Sequence, residues 1–192
     1  MYTDEQIAKM QWIAPGESKK YTMDEIGDFL RAYVRDYRFK DCEYDIAIGT
    51  DSQMVGHAFQ FISVISVHRI GKGGLYFYHK EFVPRATFPI ENQKMRMFDE
   101  VARSISLGLH FREIQKLEPQ LHIDASPSHK AQEFTAKFSD QLKGYVQSCG
   151  FECMLKPESY VAHAIADKHT KKKSRKKQRR LRQAERRRNT GK

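Results

Sequence analysis

Hydrophobic and polar positions in the middle of the chain predict three consecutive β-strands. Residues 44–51 form a short apolar run that closes on an acid, which is typical of a buried strand. Residues 59–70 are rich in Phe, Ile and Val, and residues 75–83 alternate and carry several aromatic rings. Because only the glycine-rich turn 71–74 separates the second run from the third, we expect an antiparallel meander.

Beyond the meander the spacing of apolar residues becomes helical, and helices then alternate with strands. The pattern predicts helices over 92–112, 128–148 and 160 to about 170, and short strands over 120–124 and 151–155. A meander followed by alternating helices and strands predicts the α/β class, with one five-stranded mixed sheet and helices on both of its faces.

Two further segments flank this predicted core, which spans 41–169. Residues 1–40 are expected to pack on it through one helix, which begins after Thr22 and continues to near Arg38. Residues 170–192 form a polybasic tail.

The net charge of +10 belongs to the tail and not to the domain. Fourteen of the 34 Lys and Arg residues, but one of the 24 Asp and Glu residues, fall between Lys168 and Lys192. The preceding residues therefore carry 20 basic and 23 acidic side chains, a net charge of −3. A block of one charge sign attracts polyanions, so segment 168–192 predicts binding to RNA or DNA. An acidic membrane surface and a solubilising extension are the alternatives.

Composition excludes several other classes of protein. The chain has no run of eighteen apolar residues that could span a membrane, and its first ten residues lack the apolar segment of a secretion signal. The three cysteines, Cys42, Cys149 and Cys153, fit neither a disulfide framework nor a compact zinc motif. We therefore expect a protein of the reducing cytoplasm.

Acidic residues occur where open sheets of this class place their chemistry. Asp51 closes the first predicted strand of the meander, Asp124 closes the strand 120–124, and Asp167 lies on the last predicted helix. Carboxylates bind Mg²⁺ or Mn²⁺, and two such ions can activate a water molecule against a phosphodiester. Each aspartate alone is equally typical of a turn residue that accepts backbone hydrogen bonds.

Three stretches of sequence carry a resemblance to a known family. They are Ile-Gly-Thr-Asp-Ser-Gln at 48–53, His-Ile-Asp at 122–124 and Lys-Pro-Glu-Ser-Tyr-Val-Ala-His-Ala-Ile-Ala-Asp at 156–167. In these stretches the chain resembles the YkuK-like family of bacterial and phage proteins, for which a ribonuclease H-like fold is predicted. The similarity runs from about residue 20 to 170, and it implies a metal-nuclease geometry more firmly than a substrate.

The resemblance also implies a set of metal ligands. In the ribonuclease H-like superfamily these acids lie on the first strand, the first core helix, the fourth strand and a later helix. The matching positions in this chain are Asp51, Glu100, Asp124 and Asp167. The apolar pattern of the helix 92–112 does not choose an inward face, so Asp99 and Glu91 remain alternatives to Glu100. Glu100 shares a stripe with the small residues Ser104 and Gly108, which would let the helix approach the sheet.

Two histidines are candidates for supporting roles. His163 precedes Asp167 by four residues and would share its face of an α-helix, where one of them could bind metal while the other orients water. Packing of His163 on the sheet is the alternative. His122 alternates with Ile123, so it shares the side of Asp124 and is either a support for the ligands or a core residue.

Two functional hypotheses follow. The first is a nuclease that uses Mg²⁺ or Mn²⁺ in a two-metal mechanism, with Asp51, Glu100, Asp124, Asp167 and His163 in its active site. The second is a non-catalytic nucleic-acid- or ribosome-binding protein that has the same fold. The two hypotheses differ in their need for a metal ion, and both leave open whether the nucleic acid is RNA, DNA or a hybrid.

Overall fold

The computed structural model describes residues 1–36, 39, 41–86, 93–128, 134–166 and 169, with the backbone alone at 134, 163 and 164. Within these residues seven strands form one sheet. The strands are β1 Trp12–Ile13, β2 Lys20–Tyr21, β3 Tyr44–Val55, β4 Ala58–Arg69, β5 Gly73–Pro84, β6 Gln120–His122 and β7 Cys153–Met154. Their spatial order is β2–β1–β5–β4–β3–β6–β7. Strands β3, β4 and β5 pair antiparallel, whereas β6 and β7 join beside β3 in parallel.

Helices surround this sheet and connect its strands. The described helical segments are α1 Asp4–Ala8, α2 Met23–Val34, α3 Gln93–His110, a π-helical turn Phe111–Gln115, a 3₁₀ segment Phe134–Phe138, α4 Ser139–Ser148 and a π-helical segment Val161–Ala166, here called the last helix. Capping boxes begin the first two helices, with Thr3 and Gln6 at α1 and Thr22 and Glu25 at α2. The mixed α/β class and the meander predicted from the sequence are confirmed.

The number of strands was predicted wrongly, because the sheet has seven strands and not five. The two extra strands, β1 and β2, come from the N-terminal segment and extend the sheet beyond β5 through the pair of Ile13 with Tyr78. Each has two residues, which is too short for the alternation that marks a strand in a sequence. The N-terminal segment therefore contributes two strands and a second helix, the short α1, in addition to the predicted helix, which is α2.

Several predicted helices differ from those in the structure. Helix α2 ends at Val34, before the expected end near Arg38, which lies outside the described residues. The helix predicted over 92–112 is α3 followed by the π-helical turn. Of the helix predicted over 128–148, the described part is the 3₁₀ segment and α4.

The main core lies between one face of the sheet and the helices α2, α3 and α4. We call this the back face. Strand residues Ile48, Ile65 and Phe77 pack there against residues of the three helices, such as Ile105 and Leu142. The back face buries most of the large apolar side chains and supplies most of the hydrophobic stabilisation.

The opposite face, which we call the front face, carries a smaller cluster under the last helix. Val161 and Ala166 are fully buried there against Ala47, Ile62 and Val64. Gly49 permits this close approach, because a Cβ at that position would lie 3.1 Å from Cβ of Ala162. The front face therefore fixes the last helix directly over β3.

Candidate active site

Asp51 lies within β3 and not at its end, so the strand boundary predicted there was wrong. Antiparallel pairing with β4 continues to the pair of Val55 with Ala58, which carries β3 four residues beyond Asp51. On its other side, β3 pairs in parallel with β6, and this pairing ends two residues before Asp51, with the pair of Gly49 and His122. Asp51 therefore lies where the edge of β3 becomes open. By alternation with Ala47 and Gly49, it belongs to the front face.

Asp124 occupies the equivalent position after the neighbouring strand. It follows His122 by two residues, just as Asp51 follows Gly49 by two residues. Strand β6 ends at His122, but the N–H of Ile123 still donates to the Met154 carbonyl at 2.9 Å. The pairing with β7 therefore continues to Ile123, and the two aspartates follow the same row of the sheet.

Glu100 approaches this row from α3 on the back face. Its carboxylate accepts a 2.6 Å hydrogen bond from the hydroxyl of Ser52, the residue next to Asp51. Nε of Arg96, one turn earlier in the helix, lies 3.8 Å from the same carboxylate oxygen. Glu100 is only 8% exposed. Gly108 on the same stripe lets the helix come close, because a Cβ there would lie 3.0 Å from the ring of Phe151.

The electrostatic surroundings of Glu100 disfavour its ionised form. Burial, together with the negative charges of Asp51 and Asp124, raises the pKa of Glu100 to about 8, even though the Ser52 hydrogen bond and Arg96 act in the opposite direction. Each contribution has the sign expected for a carboxyl that is buried beside like charges. The structure thus brings Glu100 close enough to Asp51 and to Asp124 to be repelled by both, a condition that a bound cation relieves.

Asp99 and Glu91, the alternatives to Glu100, differ in placement. The carboxylate of Asp99 accepts a 2.6 Å hydrogen bond from Nε of Arg103 and lies 3.8 Å from the N-terminal amine. Asp99 is therefore engaged with the N-terminal segment and not with Asp51. Glu91 lies outside the described residues.

Lys156 also lies at this site, and the sequence analysis assigned it no role. Its Nζ is 2.7 Å from Oδ1 of Asp124. Lys156 follows Met154 by two residues, and Met154 pairs with His122. Asp51, Asp124 and Lys156 thus follow the same row on three adjacent strands. Lys156 is the first residue of the stretch 156–167, which carries the family resemblance, so the sequence drew attention to it. Only the register of β7 shows that it lies beside Asp124.

His122 helps to hold the last helix in place. Its Nδ1 accepts the N–H of Val161 at 3.3 Å, and its buried ring packs edge-on against Tyr160 with centroids 4.8 Å apart. A ring nitrogen that accepts a hydrogen bond carries no proton. The contact with Val161 therefore requires the form of the His122 ring in which Nδ1 is unprotonated. Of the two roles expected for His122, the contacts described are those of a core residue that positions the helix.

The remaining predicted site residues are His163 and Asp167. The backbone of His163 lies within the last helix, but its side chain and all of Asp167 lie outside the described residues. Val161 and Ala166, five residues apart, both pack on the sheet. The expected shared face of His163 and Asp167 stays a prediction, because Asp167 lies beyond the segment Val161–Ala166.

The donor chemistry of the site suits a hard divalent cation. The described residues contain no group of three or more His, Cys, Asp or Glu side chains arranged to hold a metal ion. Asp51, Glu100 and Asp124 nevertheless offer oxygen ligands, and the raised pKa of Glu100 reflects its burial and the charges of the two aspartates. Mg²⁺ and Mn²⁺ are therefore compatible with these residues.

Comparison with known proteins identifies the family. The model of the family described as "Ribonuclease H-like" matches residues 25–171, more than half of the chain. The chain therefore belongs to the ribonuclease H-like family. It is also 27% identical over 168 residues to "Uncharacterized protein YkuK" of Bacillus subtilis (strain 168), covering 78% of this chain and 91% of that protein. No solved structure matches the chain.

These findings confirm the resemblance to the YkuK-like family and its ribonuclease H-like fold. Membership of the family indicates a function connected with nucleic acid. Within the described ranges, no helix has both the length and the apolar character needed to cross a membrane.

Proposed function

We propose that this protein is a nuclease that hydrolyses phosphodiester bonds in nucleic acid with the help of Mg²⁺ or Mn²⁺. The observation that carries the proposal is the burial of Glu100 against Ser52, where the charges of Asp51 and Asp124 raise its pKa. A structural role offers no reason to bury a carboxyl beside two like charges, whereas binding of a cation by the three carboxyls explains it.

Four carboxylates would hold the metal ions: Asp51, Glu100, Asp124 and Asp167. When bound, the ions would supply an activated water and neutralise charge on the leaving oxygen. Ser52 holds one oxygen of Glu100 in a fixed direction. Because Glu100 must be ionised to bind a cation, we expect Mn²⁺ binding near neutral pH to release a proton. We assign His163 an assisting role in orienting water.

Lys156 would compete with the metal for one ligand. Its ammonium lies 2.7 Å from Oδ1 of Asp124 and compensates that negative charge. A cation bound by Asp124 must displace this ammonium or share the carboxylate with it. The displaced lysine would then be available for a phosphate group of the substrate.

The polybasic tail would supply affinity that does not depend on sequence. Segment 168–192 carries fourteen Lys and Arg residues, and the rest of the chain has a net charge of −3. If about six tail residues contact phosphates, log affinity for a single strand falls with log salt with a slope of about −4. Deleting 170–192 should move this slope toward zero and leave turnover at saturating substrate largely intact. An unchanged slope would assign the tail to a different partner.

The decisive experiment is a cleavage assay on labelled RNA, DNA and hybrid oligonucleotides, with Mg²⁺, with Mn²⁺ and with chelator. Asp51→Asn and Asp124→Asn should abolish cleavage and weaken Mn²⁺ binding while the fold persists. The matched control is Asp45→Asn, since Asp45 lies on the same strand and face as Asp51 but faces His68 at 3.8 Å. If Asp51→Asn binds Mn²⁺ as well as the parent protein does, the metal site lies elsewhere.

A second function, nucleic-acid binding without catalysis, is favoured by one observation. Lys156 already compensates the charge of Asp124, with its Nζ 2.7 Å from Oδ1 of that residue. In that case chelator should leave nucleic-acid binding unchanged and no substrate in the panel should be cut. Metal-dependent turnover that is lost in Asp51→Asn would exclude this alternative.

A further inference from the structure

Strand β5 presents a second group of side chains on the front face, in register with Asp51. Asp51 pairs with Ile62 on β4, and Ile62 pairs with Lys80 on β5. Neighbouring strands lie about 4.8 Å apart, so the backbone at Lys80 lies about 10 Å from that at Asp51. Lys80 therefore stands on the same row of the sheet as the proposed active site.

The contacts of β5 decide which of its side chains face the front. Tyr76 and Tyr78 pack with the cluster under the last helix, on the front face. Between and beyond them, Phe77 belongs to the back-face core and Glu81 contacts Arg103 of α3. Since side chains alternate along a strand, Lys80 and Phe82 face the front together with Tyr78. We call Tyr78, Lys80 and Phe82 the β5 strip.

The chemistry of the β5 strip suits a single strand of nucleic acid. The side chain of Phe82 is 49% exposed, although it is large and apolar. Nζ of Lys80 lies 5.1 Å from the centre of the Tyr78 ring, which keeps the ammonium beside an aromatic surface. Aromatic rings that stack on bases, alternating with cations that contact phosphates, are the means by which proteins bind single strands. A duplex offers no free base face for such a ring.

His169 connects this strip to the basic tail. Its ring stacks on Tyr78 with centroids 3.9 Å apart, and its Nε2 shares a 3.0 Å hydrogen bond with the hydroxyl of Tyr76. The residue that follows His169 in the sequence is the first of the tail 170–192. The point at which the tail joins the domain is thus held on β5, at one end of the strip.

We propose that the β5 strip is a binding surface for single-stranded nucleic acid, beside the last helix and on the face of the sheet that carries Asp51. Phe82 stacks on a base, Lys80 contacts a phosphate, and the tail adds charge from its anchor at His169. That the bound strand is also the substrate rests on the proposed function, but binding to the strip requires neither metal nor cleavage.

The test is fluorescence anisotropy of labelled single-stranded RNA and DNA with the full-length protein, in chelator and over a range of salt concentrations. Phe82→Ala should weaken binding about tenfold at a given salt concentration, without changing the salt slope. Lys80→Gln should reduce the magnitude of the salt slope by about 0.7, the contribution of one phosphate contact on a single strand. If both substitutions change RNA binding and DNA binding by the same amount, the result supports stacking and phosphate contacts, which both nucleic acids offer.

Two exposed residues provide matched controls. Met54 is 56% exposed but lies on the other side of β3, and Lys72 lies in the turn between β4 and β5. Met54→Ala and Lys72→Gln should bind as the parent protein does, and thermal unfolding should show that all four variants fold. If Phe82→Ala and Lys80→Gln bind like the controls, or if a blunt duplex shows the same loss with Phe82→Ala, the proposal is wrong.

The outcome also separates this proposal from the proposed nuclease activity. Cleavage that needs metal, together with no effect of either strip variant on binding, would overturn the binding surface alone. Binding that depends on Phe82 and Lys80, in a protein that cuts nothing, would support the surface and overturn the nuclease.

Discussion

Helix α3 carries two buried ionisable side chains less than one turn apart, Glu100 and Arg103, whose surroundings differ sharply. Arg103 is 6% exposed, and its guanidinium donates to Asp99 at 2.6 Å, to Tyr2 at 2.7 Å and to Glu81. Glu100 is similarly buried but lies beside the like charges of Asp51 and Asp124. The charge of Arg103 is therefore compensated within the protein, whereas that of Glu100 is compensated only in part by Arg96.

The comparison indicates that one buried charged group, Arg103, stabilises the fold, whereas the other, Glu100, serves the proposed site. The guanidinium of Arg103 also lies 3.9 Å from the centre of the Phe61 ring, and it joins α3, β5 and the N-terminal segment. Burial lowers the pKa of Arg103, but Tyr2, Asp99 and Glu81 outweigh burial and raise it, so Arg103 stays charged. A group whose charge is opposed by its neighbours contributes little to stability and calls for a ligand of opposite sign. Removing each group should therefore affect a different property.

The largest expected effect is on catalysis. Glu100→Gln should lower metal-dependent cleavage by about a hundred- to a thousandfold, the scale of losing one electrostatic group from an active site. Asp99→Asn, which changes the neighbouring carboxylate that accepts from Arg103, should have a much smaller effect on turnover. Steady-state kinetics at saturating Mn²⁺ would measure both. Equal, mild losses would mean that α3 supplies no metal ligand.

The next effect concerns the pH dependence of stability in chelator. A glutamate in an unfolded chain titrates near 4.5, whereas the folded protein raises the pKa of Glu100 to about 8. Below pH 4.5 both states hold the proton. As the pH rises from about 4.5 to about 8 only the folded state holds it, so stability should fall by about 1.4 kcal/mol per pH unit and then level off.

Denaturant unfolding of the parent protein and of Glu100→Gln, from pH 5 to pH 9, measures this contribution. The glutamine variant lacks the titrating group, so it should gain stability relative to the parent as the pH rises. Asp99→Asn should keep the parent's slope and serves as the control. A parent and a glutamine variant with parallel pH profiles would contradict the raised pKa of Glu100.

A smaller change in free energy is expected when the compensated group is removed. Arg103→Met should destabilise the fold by about 3 kcal/mol, because it leaves Asp99 and Glu81 without their buried partner. Lys9→Met is the control, since Lys9 forms an ion pair with Glu5 in which both side chains are more than 70% exposed. Chemical denaturation would show whether only the buried arginine matters. If Arg103→Met loses no more stability than Lys9→Met does, Arg103 does not stabilise the fold and does not differ from Glu100 in this respect.

The smallest expected effect is on metal affinity. Lys156→Gln removes the ammonium that lies 2.7 Å from Asp124, so Mn²⁺ should bind a few times more tightly to the variant by calorimetry. Lys143→Gln, on α4, is a control of equal charge change. Weaker Mn²⁺ binding in Lys156→Gln would show that the lysine positions Asp124 for the metal and does not compete with it.

The sequence determined the elements that have a long, regular period. The high apolar content of the twelve-residue strands β3 and β4 predicts that they are buried. The capping residues Thr22 and Glu25 mark the first turn of α2. The resemblance in the stretch 48–53 located Asp51, and the confirmed family supports the overall fold. These features are local in the chain, so one sequence contains the information they need.

Tertiary structure decided everything that depends on register between distant segments. The apolar pattern of α3 left Glu100 and Asp99 as alternatives, and the packing of the helix placed one beside Ser52 and the other beside Arg103. Strand β1 forms because the edge of β5 pairs with it, and β2 forms because it pairs with β1 in turn, as two residues alone have no stable extended structure. The contact of Lys156 with Asp124 likewise requires β6 and β7 to pair at one offset. Such an offset arises from side-chain packing across the sheet, which no single segment of the chain encodes.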